Sequence, residues 1–477
     1  MKILAFVLAM LPIYAPLWAQ GPATPVQPAT AAPNLPAGGL TLPGGSQFQG
    51  SVPLGQAGPP LRLSLEDAIA RGLRSNLGLL VTQTGSQLAR IDRRRALAAL
   101  LPSVGGQFEE NEQQLDLASF GFHFPGIPSV IGPFHYFEAQ AAVSQTVFDW
   151  TSIKNRRSAM QSERAAALSV KDARDLVVQA VASAYLAIIA DAARVDAARS
   201  EVTTAQALYD RAHDQHTAGV SPAIDELRSQ VELKTRQQEL LADVNQHDKD
   251  KLALGRVIGL PDGQTYELSE AEPYVPLTPL TPEQAIERAY KNRADYQSAL
   301  LQVRAAETAR EAAVGERYPT GQFDANYGAA GVSLDNSHGI FTVTGGLRFN
   351  IFQGGRISAD IEQADAVILQ RKDELADLQG QIDYQVRTSL LDLKTAADQV
   401  AVAQDNLHLA NQTLTQARDR FSAGVADNLE VVQAQDSVAA ASESLISATY
   451  MHNLAKVSLA RAVGEAETSL KEFMGGK

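Results

Sequence analysis

Ser64–Arg71 reads SLEDAIAR, and Thr281–Arg288 reads TPEQAIER, an offset of 217 residues (281 − 64). Pro102 falls on Pro319 at the same offset. Further on the spacing shortens to 205 (424 − 219): Ala218-Gly219-Val220 returns as Ala423-Gly424-Val425, and Arg256 with Gly259 returns as Arg461 with Gly464. The two copies therefore differ chiefly by residues inserted between Pro102 and Phe148. A period this long is a duplicated half-domain rather than a solenoid unit. Each half should carry the same order of elements, and an oligomer should show pseudo-symmetry at twice its copy number.

Composition narrows the class. The formal charge is −13, with 54 acidic against 41 basic residues, and no Lys/Arg cluster stands out, which argues against a nucleic-acid partner. Cysteine is absent. In an exported chain this rules out disulfide staples and an N-terminal lipid on a lipobox cysteine, so membrane attachment must come from the polypeptide. Lys2, an apolar run from Ile3 through Leu17 and a small residue at Ala19 read as a secretory signal peptide over 1–19. A Pro/Gly/Ala-rich tether is expected over 20–60, a first repeat over 61–260, a linker over 261–280, a second repeat over 281–464 and a C-terminal tail over 465–477. No later segment approaches 18 continuous apolar residues, which excludes a helical membrane protein.

Each half opens with a helix start: Ser64 with Asp67, and Thr281 with Gln284 after Pro282, fit the capping-box pattern. That helix is expected to run toward Pro102 or Pro319. Beyond each proline the period changes to two. Phe341, Val343, Leu347, Phe349 and Ile351 alternate with Thr342, Thr344, Arg348 and Asn350, and Phe323, Ala325 and Tyr327 alternate with Gln322, Asp324 and Asn326. In the first half Phe137, Ala139, Ala141, Val143 and Val147 share one face, while the partner near Val104 to Leu117 is very polar. The pattern predicts two hairpins, four strands. Ser119 to Phe134, rich in Phe, Gly and Pro, is the inserted loop, either a variable surface loop or an aromatic rim.

Two long helical tracts follow, Thr151 to His216 and Gly355 to Ser422, each on the order of 100 Å at about 1.5 Å per residue. Val400, Ala403, Leu407, Ala410, Leu414, Ala417 and Phe421 hold a 3,4 spacing, and Val431, Ala434, Val438, Ala441, Leu445 and Ala448 repeat it on the way back. This is coiled-coil spacing with small residues at alternate seam positions. In the first half Val195, Ala198, Val202, Ala205, Tyr209 and Ala212 are in register, but the return helix is less regular. A four-stranded sheet with one apolar face cannot cross a bilayer alone, because its edges leave backbone groups unpaired in hydrocarbon. Closure must come from other copies: two would give eight strands and a barrel largely filled by side chains, and three give twelve and begin to leave an open lumen.

With LSLEDAIARGL at 63–73, HTAGVSPAIDEL at 216–227 and SAGVADNLEVV at 422–432, the chain resembles the TolC-like outer membrane efflux proteins over roughly Leu61 to Gly464. The resemblance implies a mainly α protein with a membrane β-barrel portion, built from a duplicated strand-strand-long helix-helix repeat. It implies a homotrimer whose 12-stranded β-barrel, set in outer membrane lipid, continues into a 12-helix α-barrel. It implies a passive exit duct of a tripartite efflux or type I secretion system, opened by a periplasmic adaptor and an inner membrane pump of RND, ABC or MFS type. By position, Gly219, Val220, Gly424 and Val425 would be the adaptor-docking tips, and Asp225, Phe421, Glu430 and Gln433 would line the periplasmic aperture. Three copies of Glu430 would form a cation-attracting ring. The family often has a second acid three residues later, where this chain has Gln433 and Arg228. Ala426 lacks the basic side chain that can latch the closed state.

Plainer readings exist. Asp225, Asp427 and Glu430 all fall where a helix macrodipole favours an acid. His213 and His216 lie one turn apart and could share a metal, but no third ligand is visible, so no metal or cofactor is expected. The chain has no GxSxG, no HExxH, no phosphate-cradling glycine loop followed by lysine and no cysteine nucleophile, so no enzyme is expected. The rival reading is a periplasmic coiled-coil adaptor or tether without a pore, which would need the hairpins but not the strands.

Overall fold

The computed structural model describes residues 48–474 apart from 54, 124, 270–274, 276–279, 334, 424 and 426–427. The expected signal peptide over 1–19, most of the 20–60 tether, Gly424, Ala426, Asp427 and the end of the C-terminal tail lie outside the described residues.

Both repeats begin at the middle of the molecule. Strand β1 (Leu61–Leu63) leads into helix α1 (Leu65–Ser75), where Ser64 Oγ accepts from the Asp67 amide at 3.1 Å. The helix does not continue toward Pro102 as the pattern implied. It stops at Asn76, whose backbone is extended (φ −62°, ψ 126°), and a new helix α2 (Leu77–Ala98) starts there with the Asn76 side chain capping the Leu79 amide. Strands β2 (Ser103–Asp116) and β3 (Val130–Phe148) follow, then helices α3 (Trp150–Thr217) and α4 (Ala223–Val257). A short strand β4 (Tyr266–Leu268), in the stretch expected as a linker, pairs parallel with β1.

The second half repeats the plan. Helix α5 (Pro282–Asn292) carries a complete capping box between Thr281 and Gln284 and breaks at Arg293 (φ −64°, ψ 117°) before α6 (Ala294–Gly315). Arg293 is Asn76 at the 217-residue offset (293 − 76). Strands β5 (Thr320–Ser333) and β6 (Asn336–Arg348), helices α7 (Arg356–Ser422) and α8 (Asn428–Ala462), and a short α9 (Ala466–Met474) complete the chain.

The break has a cause in packing. Gly259 (φ +70°) and Gly464 (φ +75°) end α4 and α8 in the left-handed region and press onto the two break points. A Cβ on Gly464 would lie 2.7 Å from Arg293 N, and one on Gly259 would lie 2.5 Å from Ser75 Cβ. The return helix thus ends against the kink, so that α2 and α4, like α6 and α8, lie end to end beside one continuous helix. The 205- and 217-residue offsets meet at this contact.

Two apolar cores occupy this central zone. One joins Leu63, Leu79, Val177, Val181, Tyr185, Leu254, Ile258 and Tyr266, with Tyr185 Oη donating to Leu63 O at 3.1 Å. Its counterpart joins Val178, Leu186, Ala285, Ala289, Ile382, Val386, Val457 and Val463. Each fully buried Leu, Ile or Val contributes about 1.5–3 kcal/mol. One stretch of α3 is apolar enough to cross a bilayer, but more than half of it is buried within the protein, as a core helix requires.

The sheet runs β2-β3-β5-β6, antiparallel throughout, leaving β2 and β6 as edges. Along the helices, α2 and α4 pack on α3, α3 packs on α6 and α8, and α6 and α8 pack on α7. The layer therefore has α2 and α4 at one margin and α7 at the other, matching the two sheet edges.

Candidate functional site: open edges and hairpin turns

Cross-strand register gathers the apolar side chains on one face of the sheet. Val143 opposes Val104 and Ala325, Ala139 opposes Phe108 and Ala329, Tyr327 opposes Phe341, and Ala325 opposes Val343. Phe108, Tyr327, Phe341, Val343 and Leu347 are all exposed. An apolar face this broad without a protein partner is stable only against another apolar medium. The opposite face carries Gln107, Glu109, Glu138, Gln140, Asp324, Asn326, Thr342 and Thr344, with Asn326 Nδ2 donating to Gln140 Oε1 at 2.5 Å. This face suits water. The inserted segment between β2 and β3 contains a 3₁₀ turn, Leu117–Phe120, with Phe120 and Phe122 exposed.

The helix margins repeat the pattern of unpartnered apolar surface. Ile224, Leu227, Val231, Leu241 and Leu252 form an exposed seam on α4, and Tyr384, Leu391, Val402 and Leu409 form another on α7. Leu241 and Val402 each stand 22 residues from a turn glycine (241 − 219 and 424 − 402), and Leu252 and Leu391 each stand 33 away. The antiparallel sense of α4 and α7 therefore brings these pairs to the same level.

The turns close with backbone chemistry. After α3 the Val220 amide donates to Gln215 O and the Gly219 amide to His216 O, both at 2.9 Å, with Gly219 at φ +73°. This is a Schellman ending, which needs a left-handed residue after the cap. At the second turn the Val425 amide donates to Arg420 O at 3.1 Å. Val220 and Val425 are both exposed.

Among the aperture candidates, Asp225 and Glu430 sit in the first turns of α4 and α8, where the macrodipole favours them. Ser221 Oγ donates to Asp225 at 2.9 Å, and Arg228 lies 3.8 Å away. Glu430 lies 3.2 Å from Arg420 across its own hairpin. Gln433 is exposed. Phe421 is half-buried against Leu208, Leu414, Ala417 and Val431, and the Arg211 guanidinium stands 5.6 Å from its ring, tying α7 to α3.

His213 Nδ1 lies 2.8 Å from Glu226 Oε1, and His216 Nε2 lies 3.9 Å from Glu226 Oε2. The hydrogen bond and charge of Glu226 raise the His213 pKa. No group of three or more His, Asp or Glu among the described residues is placed to hold a metal ion.

Ionic ties that lie outside the apolar periods also join the helices. Arg236 on α4, buried, donates to Glu232 at 2.6 Å and Glu239 at 2.9 Å, reaches Glu201 of α3 at 3.4 Å and binds Asp436 of α8. Arg194 of α3 joins Asp191 at 2.8 Å to Glu443 of α8 at 3.1 Å. In the centre the buried Arg293 bonds Asp295, Gln385 and Ala462 O. The buried Lys456 donates to Val275 O, and burial pushes its amine down to about 8.

The model of the outer membrane efflux protein family matches residues 69–260 and 285–465, both repeats. The chain belongs to the outer membrane efflux protein family. Over 410 residues, 82% of this chain and 84% of the relative, it is 24% identical to the pyoverdine export outer membrane protein OpmQ of Pseudomonas aeruginosa. Its fold is similar to that of the outer membrane protein VceC of Vibrio cholerae (TM-score 0.73, 18% identity, 84% of this chain and 96% of that one). It is likewise similar to the CmeC outer membrane channel of Campylobacter jejuni (TM-score 0.74, 15% identity, 86% and 89%). Each matched repeat carries two strands as well as a long helical hairpin. The adaptor or tether reading is not favoured.

Proposed function

We propose that three copies of this chain form the exit duct of a tripartite efflux or type I secretion system in the outer membrane of a Gram-negative cell. The observation that carries the reading is the agreement of the two layers. The sheet ends in unpaired edges at β2 and β6, and the helices end in unpartnered apolar seams at α4 and α7, on the same two margins. Joining β6 to β2 and α7 to α4 of the next copy satisfies both at once. Sheet edges in hydrocarbon require such closure, because no water is present to pair their backbone groups. Three copies give twelve strands and a lumen lined by Gln107, Glu109, Gln140, Asn326 and Thr342.

The channel is passive. The exposed turns at Val220 and Val425, with Gly219 and Gly424 beside them, are the surface for a periplasmic adaptor, and an inner membrane pump supplies the energy. Asp225, Phe421, Glu430 and Gln433 form the aperture. Arg420 and Arg228 temper its negative charge, so the cation preference is weaker than three free carboxylates would give. The lumen face offers amides, hydroxyls and carboxylates rather than a shaped cavity, and cargo choice falls to the pump.

The test is conductance of the purified protein in a planar bilayer. Discrete steps with a modest cation preference, shifting toward anions in Glu430→Gln, support the duct. Recovery of the protein in the soluble periplasmic fraction, without conductance, would restore the adaptor reading.

A further inference from the structure

The first hairpin carries two carboxyl groups where the second carries alanine. Asp191 on α3 and Asp250 on α4 correspond, at the 205-residue offset (396 − 191 and 455 − 250), to Ala396 and Ala455, both buried between their helices and neighbours. Asp191 is 4% exposed. Its Oδ1 accepts from Arg194 Nη1 at 2.8 Å, while its buried Oδ2 meets no donor. The carboxyl that neighbours Asp191 across the α3–α4 contact is that of Asp250, whose Oδ2 accepts from Gln246 Nε2 at 3.1 Å. Ionised carboxylates only accept, so this contact sets acceptor against acceptor and like charge against like charge. A single proton between the two oxygens turns the repulsion into a charge-assisted O–H···O bond.

We propose that Asp191 and Asp250 form a proton-binding pair that clamps α3 to α4, a pH-dependent brace in the first hairpin where the second has a permanent apolar contact. The surrounding charges favour uptake of the proton. From α3 only Arg194 brings positive charge, and Glu443 of α8 shares it at 3.1 Å. From α4, Asp243 adds a further carboxylate near Arg194 and Glu443, and His247 is pushed down by burial and by Lys251, so it stays neutral near pH 7. From α8, Tyr450 stays a neutral phenol, its ionisation opposed first by burial and then by the charges of Asp191 and Asp250.

Burial and the neighbouring Asp250 push the Asp191 carboxyl up to about 6. A raised carboxyl stabilises the folded form at pH values where it is protonated. The brace is therefore complete below about pH 4, the ordinary carboxylate range, and is lost as pH rises through about 6. The Asp191→Asn variant supplies a permanent N–H donor to Asp250 and should behave at every pH as the protonated pair does.

The experiment is hydrogen exchange of the assembled full chain at pH 5.0 and pH 7.5, corrected for intrinsic rates and read over residues 186–198 and 246–254. The parent should lose about tenfold protection there on going to pH 7.5, the equivalent of one unit of pKa, and Asp191→Asn should not. If Asp191→Asn does not assemble, Asp250→Asn gives the same contrast. Equal pH dependence in parent and variant would overturn the proposal. So would recovery of protection at pH 7.5 by millimolar Ca²⁺ or Mg²⁺, reversed by chelation, because the pair would then hold a cation rather than a proton.

Discussion

In the second hairpin the return helix presents Val431, Ala434, Val438, Ala441, Leu445 and Ala448 to the seam; at the same repeat positions the first presents Glu226, Ser229, Leu233, Arg236, Leu240 and Asp243. The outgoing helices are alike, with Val195, Ala198 and Ala205 matching Val400, Ala403 and Ala410, all buried. One hairpin is thus zipped along both helices by small apolar side chains, and the other is zipped along one and tied by charge along the other. An apolar seam responds little to pH or salt. Ionic ties respond to both, and partly exposed ones lose strength to solvent screening. The first hairpin is the tunable member of the pair.

The most damaging single change should strike what the two halves share. Gly464→Ala would force a Cβ to within 2.9 Å of Arg293 backbone atoms at a positive φ, and should cost about 3 kcal/mol or more, read as lost assembly or a large fall in thermal midpoint. Gly259→Ala would place a Cβ 2.5 Å from Ser75 Cβ and 2.9 Å from Val52 O, also at a positive φ, and should cost about as much. A much smaller cost at Gly259 would show its break point to be the more yielding of the two.

The ionic hub comes next. Arg236→Ala leaves Glu201, Glu232, Glu239 and Asp436 without their shared cation and should destabilise by about 1–3 kcal/mol, discounted because Glu239 and Asp436 are about half exposed. Denaturant unfolding at low and high salt checks this, and a loss that does not shrink at high salt would contradict an ionic role. Converting the first hairpin to the chemistry of the second, with Asp191→Ala and Asp250→Ala together, should raise stability at pH 7.5 by about 1 kcal/mol and leave none at pH 4.5. A thermal midpoint lowered at both pH values would mean that the carboxyls serve only packing.

The smallest effect belongs to the first turn. The raised His213 pKa stabilises the turn below the ordinary histidine value of about 6.5, and the benefit fades as pH rises through the raised value. His213→Gln should therefore increase hydrogen exchange over residues 210–226 at pH 6 and leave it unchanged at pH 8. A change of equal size at both values would assign His213 to its stacking on Tyr209, 6.0 Å away.

The duplication, the four alternating strands and the two long helices were legible because each rests on a short-range period repeated over many residues. Phe341, Val343 and Leu347 announce a strand without knowledge of its neighbours. The break at Arg293 was not legible, since arginine favours helix interiors, and the cap preference of Asn76 alone does not stop a helix. Gly259 and Gly464 impose it from more than 170 residues away. Strands β1 and β4, three residues each, are too short to show a period. The aperture candidates came from resemblance by position, which could not reveal that Glu430 faces Arg420 or that Phe421 carries Arg211 on its ring. Arg236 looked like part of an irregular helix, although its replacement by Ala441 in the other repeat was the available signal.

The central claim is that copies of the chain close into a ring through α4 and α7. The absence of cysteine makes a direct measurement clean: Leu241→Cys and Val402→Cys placed together in one chain, oxidised in membranes and separated on denaturing gels. Covalent trimers as the limiting product, with neither single variant going beyond a dimer, are the predicted result. Monomers throughout, or a ladder extending past three copies, would contradict it.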